Sequence, residues 1–305
     1  MGVKREVGTA RPAVDHQNIA IQRQSPILTM RTGPVQNVRV QALLTAFFVL
    51  LGLAIGSFLN VCIDRLPSGR SIVTPPSRCD QCQRRLALAD LIPVLSYLWL
   101  RGRCRHCGAV LPKRLVVVEL VSGALLGALY VVFGPEAEFG VAAFWACVFI
   151  VVFVIDLEQG LVLDKIVFPS LLVALVFAGL VDDLPWLQGI GVMEEWPQIA
   201  NAGLGAGVGF LLFAFLLVFA LVVLGKEGLG WGDVKLAALI GLVCGFPLIL
   251  LVIVVGAMVG LLMALLMGRL KSGETIPFGS ALVVATVVAM VAGQSIIDRL
   301  ARLYS

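Results

Sequence analysis

Long apolar runs separated by short polar stretches dominate the chain from about residue 42 onward. They fall near 42–62, 115–133, 140–156, 165–181, 200–224, 235–246, 248–268 and 278–296. Most approach or exceed the ~18 apolar residues that carry a helix across a ~30 Å hydrocarbon core. The run at 235–246 is shorter and suits a partly inserted or broken helix. In lipid a helix satisfies its own backbone and an open strand does not, so every run is expected to be helical. The pattern predicts an all-α polytopic membrane protein with about eight transmembrane helices and one small polar insert. Its expected organisation is a polar, disordered extension at 1–40, a first transmembrane helix at 41–63, the insert at 64–113, a membrane core at 114–297 and a tail at 298–305. The extension lacks a signal-peptide pattern, because the apolar run after it is too long and has no small-residue cleavage site. A translation start at Met30 is the plain alternative.

Composition excludes a large soluble protein. The chain has 305 residues, is 59% hydrophobic and 14% charged, and has a mean hydropathy of +0.99; a soluble domain carries roughly 25% charged residues. The net charge of +4 matters less than its placement. The insert holds Arg65, Arg70, Arg78, Arg84, Arg85, Arg101, Arg103, Arg105 and Lys113, whereas loops 134–139 and 182–199 hold acids and no Lys or Arg. Positive loops favour the cytoplasmic side. The insert and loops 157–164, 225–234 and 269–277 are therefore expected in the cytoplasm, with both termini outside. The basic extension runs against this orientation, but several internal loops agree on it.

Seven cysteines divide by location. Cys62, Cys147 and Cys244 lie in apolar runs, where a thiol is usually a small core residue. Cys79-x-x-Cys82 and Cys104-x-x-Cys107 lie in the insert. Four thiolates at this spacing can close a tetrahedron around structural Zn2+, and a reducing cytoplasm argues against disulfides. His106 is a further candidate ligand, although four sulfurs already fill the shell.

Ionisable residues within or beside membrane spans are costly and are functional suspects. Here they are Glu119, Asp156, Glu158, Asp164, Asp233 and Lys235. Asp156 ends an apolar run, and Asp233 follows Gly228, Gly230 and Gly232 in a segment read as a loop. The loop charges place both aspartates at the cytoplasmic face. Two carboxyl groups sharing a proton can act as base and acid in one site. The glycines would admit an extended substrate strand beside Asp233. Glu158 lies roughly 200° around the helix from Asp156 and is a poor partner. Asp164 reads as a helix N-cap, and Lys235 as a snorkelling or site-tuning residue. Glu119 needs a polar partner, for which an insert arginine is expected. An ion or proton pathway would use the same residue types.

An ordered set of motifs then narrows the choice. Gly56-Ser57-Phe58-Leu59-Asn60-Val61 is followed by Arg65-Leu66-Pro67. Ile92-Pro93-Val94-Leu95-Ser96-Tyr97 lies between the cysteine pairs, and Arg101 to Gly108 spans the second pair. Val118-Glu119-Leu120, Ile155-Asp156-Leu157, Gly230-Trp231-Gly232-Asp233-Val234-Lys235 and Ile276-Pro277-Phe278-Gly279 come after it. Across about residues 50–280 the chain resembles the prepilin leader peptidase / N-methyltransferase family of type IV pilus and type II secretion systems. It departs from the family at Leu163-Asp164, where Pro-Asp is usual, and at Arg114-Leu115-Val116, where an Arg-Tyr-Pro-like stretch is common.

The resemblance implies an intramembrane aspartyl endopeptidase in the bacterial inner membrane. Asp156 and Asp233 would be its catalytic pair, with Gly230, Gly232, Lys235 and Glu119 in support. The implied substrates are prepilins and pseudopilins, cut after Gly at the cytoplasmic face while the substrate helix stays in the bilayer. Bifunctional relatives then methylate the new amine from S-adenosylmethionine, an activity expected in the insert. The insert has no glycine-rich nucleotide fingerprint, so no cofactor-binding residue is assigned. The lipid bilayer is an implied partner and nucleic acid is not. The rival reading is a transporter or channel with a zinc-stabilised cytoplasmic cap. A third is a catalytically silent assembly scaffold.

Overall fold

The computed structural model describes residues 38–181, 184–187, 196–224, 230–266, 277–293 and 296. Nearly all of the expected extension, the tail, Gly228 and the acids Asp182, Asp183, Glu194 and Glu195 lie outside the described residues. Helices account for every apolar run: α1 (Val38–Arg65), then the short insert helix α2 (Leu95–Trp99), α3 (Arg114–Phe133), α4 (Ala137–Gln159), α5 (Asp164–Leu180), α6 (Gln198–Phe219), α7 (Trp231–Cys244), α8 (Leu248–Leu266) and α9 (Phe278–Val288). A π-helical turn extends α6 over Ala220–Leu224 and another extends α9 over Ala289–Gly293.

The expectation of about eight spans resolves into two kinds of helix. Among the described residues, five are long and apolar enough to cross a membrane: α1, α3, α4, α6 with part of its π turn, and α8. The others, α5, α7 and α9, have 17, 14 and 11 residues. The shortness of α7 has a physical reason. From Leu236 to Cys244 nearly every residue of α7 is buried, and a helix enclosed by other helices is apolar all round and need not match the bilayer thickness.

Small residues set the two closest helix crossings. Gly205 and Gly209 on α6 face Gly241 and Ala237 on α7, and a Cβ at Gly205 would run into the Gly241 carbonyl oxygen. Gly52 and Gly56 on α1 lie in the same way against Ser122, Gly123 and Glu119 of α3. Without a hydrophobic driving force between helices in lipid, close backbone approach of this kind is what holds them together.

The main core fills the space between α4, α5, α6, α7, α8 and α9, with Trp145, Phe149, Phe213, Leu239 and Leu248 almost fully enclosed. A second cluster joins α1, α3 and α4 through Leu59, Ile63, Val118, Ile150, Val151 and Ile155, and so fixes the end of α4 that carries Asp156. On the outside, Phe47, Leu50, Phe58, Leu211, Phe215, Met258, Leu261 and Leu265 are exposed. An exposed apolar surface of this extent marks contact with a nonaqueous partner, and the chain is an integral membrane protein.

Candidate active site and metal centre

Asp156 lies in the last turn of α4, which stops because Gly160 takes the left-handed conformation and returns its N–H to the Asp156 carbonyl. The Asp156 side chain is buried, and its Oδ2 accepts the Ser280 N–H from the first turn of α9. The positive end of a helix dipole therefore faces this carboxylate. At Gly279 the backbone comes so close that a Cβ would sit 3.1 Å from the Asp156 carboxyl carbon. The role of the Pro277-Phe278-Gly279 segment as the holder of Asp156 was missed in the sequence. Its available signal was a Pro-x-Gly start to an apolar run that faces the acids.

Asp233 is not in a loop, as the sequence reading had it. Helix α7 starts at Trp231, with Gly230 as its N-cap. The Asp233 carboxylate accepts the Gly230 N–H at 3.2 Å, while its own N–H returns to the Gly230 carbonyl at 3.1 Å. An acid three residues into a helix closes the cap in this way and starts the helix early. Gly232 presses on the loop before α5: a Cβ there would come within 2.9 Å of the Val162 Cβ. The two aspartates share one end of the bundle, and the Asp156 charge acts on Asp233.

The other candidate acids and Lys235 have separate partners. Asp164 is not an N-cap; Leu163 takes that position, and Asp164 pairs with Lys235 at 2.6 Å. Lys235 does not simply snorkel, since it bridges α7 to α5 and lies 5.6 Å from the centre of the Phe168 ring. Glu158 and Asp64 are both held by Arg114, at 2.9 Å and 2.5 Å, so one guanidinium joins the ends of α1, α3 and α4. Glu119 does not use an insert arginine. It accepts the Val94 N–H at 2.7 Å and bonds the Ser57 hydroxyl. Val94 has φ +62°, an unusual conformation for a β-branched residue, and it starts α2. The carboxylate thus ties the insert to α1 and α3.

The insert contains the same fold twice. The Cys79 N–H donates to the Arg84 carbonyl, as the Cys104 N–H does to Ala109. Gln83 and Gly108, both at positive φ, return their N–H groups to the Cys79 and Cys104 carbonyls. Leu86 pairs with Ser77 as Leu111 does with Gly102. The four sulfurs of Cys79, Cys82, Cys104 and Cys107 all lie within 4.8 Å of one another, and His106 stands outside the group. Sulfurs ~2.3 Å from a tetrahedral metal would be about 3.8 Å apart, and the Cys79–Cys107 separation is 3.8 Å. The donor set therefore fits a metal. The main-chain N–H groups of Cys107 and His106 pull the Cys104 thiol down to about 6. The Ala109 N–H also lowers Cys107, but burial and the sulfurs of Cys104, Cys82 and Cys79 push it up to about 11. Arg105 clamps the second knuckle to Asp90 of the intervening segment at 2.7 Å.

The insert also has a cleft of about 350 Å³ near Ser77, Arg85 and Leu88. The residues that line it are apolar apart from Ser77 and Arg85, and none of them is assigned to a cofactor.

Fold and site together describe a helical membrane protein with an acid pair at one end and a tetracysteine cap. Comparison with known proteins carries this further. Residues 50–133 match the family model of the bacterial peptidase A24 N-terminal domain, and residues 143–265 match that of the type IV leader peptidase family. The proteins named prepilin leader peptidase/N-methyltransferase in Burkholderia pseudomallei (strain 1026b), Stutzerimonas stutzeri and Bacillus subtilis (strain 168) are 33%, 34% and 34% identical. These matches cover 77%, 81% and 82% of this chain and 81%, 90% and 94% of the relatives. No solved structure matches the chain. The chain belongs to the type IV leader peptidase family. The transporter or channel reading finds no support in these comparisons.

Proposed function

We propose that the protein cuts the leader peptides of type IV prepilins and pseudopilins after Gly, with Asp156 and Asp233 as the catalytic pair. The carrying observation is geometric: the end of α4 that carries Asp156 and the start of α7 that carries Asp233 lie at one end of the bundle, with Gly232 packed against Val162 just after α4. One carboxylate takes a proton from water as the water oxygen attacks the Gly carbonyl carbon. The other gives its proton to the amide nitrogen as the C–N bond breaks. The products are a leader ending in a carboxylate and a mature chain with a free amine. The pair titrates as a unit, so neither residue alone is named base. Burial of Asp156 against Gly279 and Ser280 holds one acid still, while Asp233, at the start of α7, is the more open of the two.

Loop charge supports a cytoplasmic position for the insert and the aspartates in the inner membrane of a bacterium. Residues 64–113 form the cap and 114–297 the peptidase core in this reading. The tetracysteine cluster would hold structural Zn2+, which neutralises its thiolates and crosslinks the insert. The relatives' names also include N-methyltransferase. On that ground methylation of the new amine is a further expectation, for which S-adenosylmethionine would be the methyl donor; no residue of this chain is assigned to hold it.

One experiment tests the reading: incubation of the purified protein with a prepilin in detergent, followed by mass analysis of the product N-terminus. Asp156→Asn and Asp233→Asn are each expected to lower the cleavage rate by at least ~10²–10⁴-fold with unchanged thermal unfolding. Wild-type cleavage by either variant removes that residue from the site. The same spectrum reports whether the amine gains a methyl group.

A further inference from the structure

A cleft of about 420 Å³ opens at the end of the bundle that carries the aspartates. Leu66 after α1, Leu161, Val162 and Leu163 between α4 and α5, and Gly232 and Lys235 of α7 line it. Gly232 immediately precedes Asp233, so the cleft runs directly up to the proposed active site.

The wall made by residues 161–163 leaves main-chain groups open. It lies between two helices and belongs to neither. Among the described residues, the N–H groups of Leu161, Val162 and Leu163 and the carbonyls of Leu161 and Val162 have no hydrogen-bond partner. The Leu163 carbonyl alone is taken, by Ile166 and Val167. The segment is also held in place. The left-handed Gly160 ends α4 on one side, and the Asp164–Lys235 ion pair fastens the start of α5 to α7 on the other. Val162 rests against Gly232, where no side chain fits between them. A fixed main-chain edge with open donors and acceptors is a template for strand addition.

We infer that residues 161–163 form a docking edge for the leader side of the substrate, which pairs with it as an added strand beside Asp233. This deepens the proposed function and rests on the assignment of Asp233. Peptide-bond attack needs the chain on both sides of the bond to be held in position. On the mature side the substrate continues as an apolar membrane helix. Its leader side is free to extend into this polar-ended cleft. Pairing through main-chain groups would set the register of the cut without reading many leader side chains.

The test uses the full-length enzyme and a prepilin substrate. Successive N–H groups of an extended segment point to opposite sides, so one of Leu161→Pro and Val162→Pro is expected to lower kcat/KM about tenfold, the effect of one lost hydrogen bond. Val162→Ala, which keeps the N–H but removes the side chain packed on Gly232, separates packing from main-chain pairing: a loss as large as that of Val162→Pro would assign the proline effect to the side chain and overturn the inference at that position. N-methylation of one leader amide should cost the wild-type enzyme a similar factor, and should cost the impaired proline variant nothing further. For a readout independent of proline folding, Leu161→Cys in an Asp233→Asn background should crosslink to single cysteines at alternate leader positions. Crosslinking with no alternation overturns the inference, as does wild-type kcat/KM in both folded proline variants. If Asp233→Asn itself cleaves normally, the active-site assignment fails first. If Asp233→Asn is inactive while both proline variants cut normally, the docking edge alone fails.

Discussion

At Gly279 there is no room for even a methyl group without moving the Asp156 carboxylate. A Cβ would lie 3.1–3.2 Å from three of its atoms, and overpacking of this kind costs about 1–3 kcal/mol when the neighbours cannot move. Gly279→Ala is therefore expected to remove most cleavage activity and to lower the detergent unfolding temperature by at most about 10 °C, short of unfolding at the assay temperature. Cleavage and unfolding measured on the same preparation check this, and full activity would show that Asp156 tolerates displacement. Asp156 and Asp233 were legible in the sequence because each acid stands where an apolar run ends or begins. Their surroundings were not. The Ser280 N–H that meets Asp156 is 124 residues away, and no local pattern carries information across that distance. Glu119 shows the same limit: the need for a partner was readable from its place in an apolar run, but the partner is a main-chain N–H rather than a charge.

At the scale of elements, the insert was the most legible part, because Cys-x-x-Cys is local and its chemistry follows from its spacing. The duplicated hydrogen-bond pattern was harder to see, since Gln83 in one knuckle stands where Gly108 stands in the other. The start of α7 was misread for a related reason. Three glycines suggested a loop, whereas capping by Gly230 and Asp233 begins the helix at Trp231. If the knuckles are metal-crosslinked, Cys82→Ser or prolonged chelation will lower bound zinc from near one per chain to near zero. Limited proteolysis should then cut within 83–103, which the untreated protein resists. Stoichiometric zinc retained by Cys82→Ser would contradict the four-sulfur site.

For the whole molecule, the order of the apolar helices among the described residues followed from hydropathy, as did the shortness of the run that forms α7, while the shortness of α9 did not. Hydropathy reports how apolar a segment is, and α7 is apolar because neighbouring helices enclose it. Orientation rests on charge: Arg114 gathers Asp64 and Glu158 at the same end as the basic insert, and the other end carries Glu136 as the α4 N-cap and Glu138 in its first turn. Single cysteines introduced at Glu136 and Ser71 should accordingly be labelled by an impermeant thiol reagent from opposite sides of intact cells and inverted vesicles. Labelling of both from one side would overturn the orientation.

The crossing of α1 with α3 has a consequence for how the chain is made. Gly52, Gly56 and Asn60 of α1 all face α3, yet α3 follows only after the insert. At ~5–20 residues per second, the ribosome needs roughly 3–10 s to synthesise the stretch between the two helices. Throughout that interval the Asn60 amide and the bare glycine face of α1 wait in the translocation channel or the lipid without their mate. Once the second knuckle has emerged, closing the insert brings the root of α3 back to the end of α1. Metal supply during synthesis would then govern how long the first helix is left open to wrong partners.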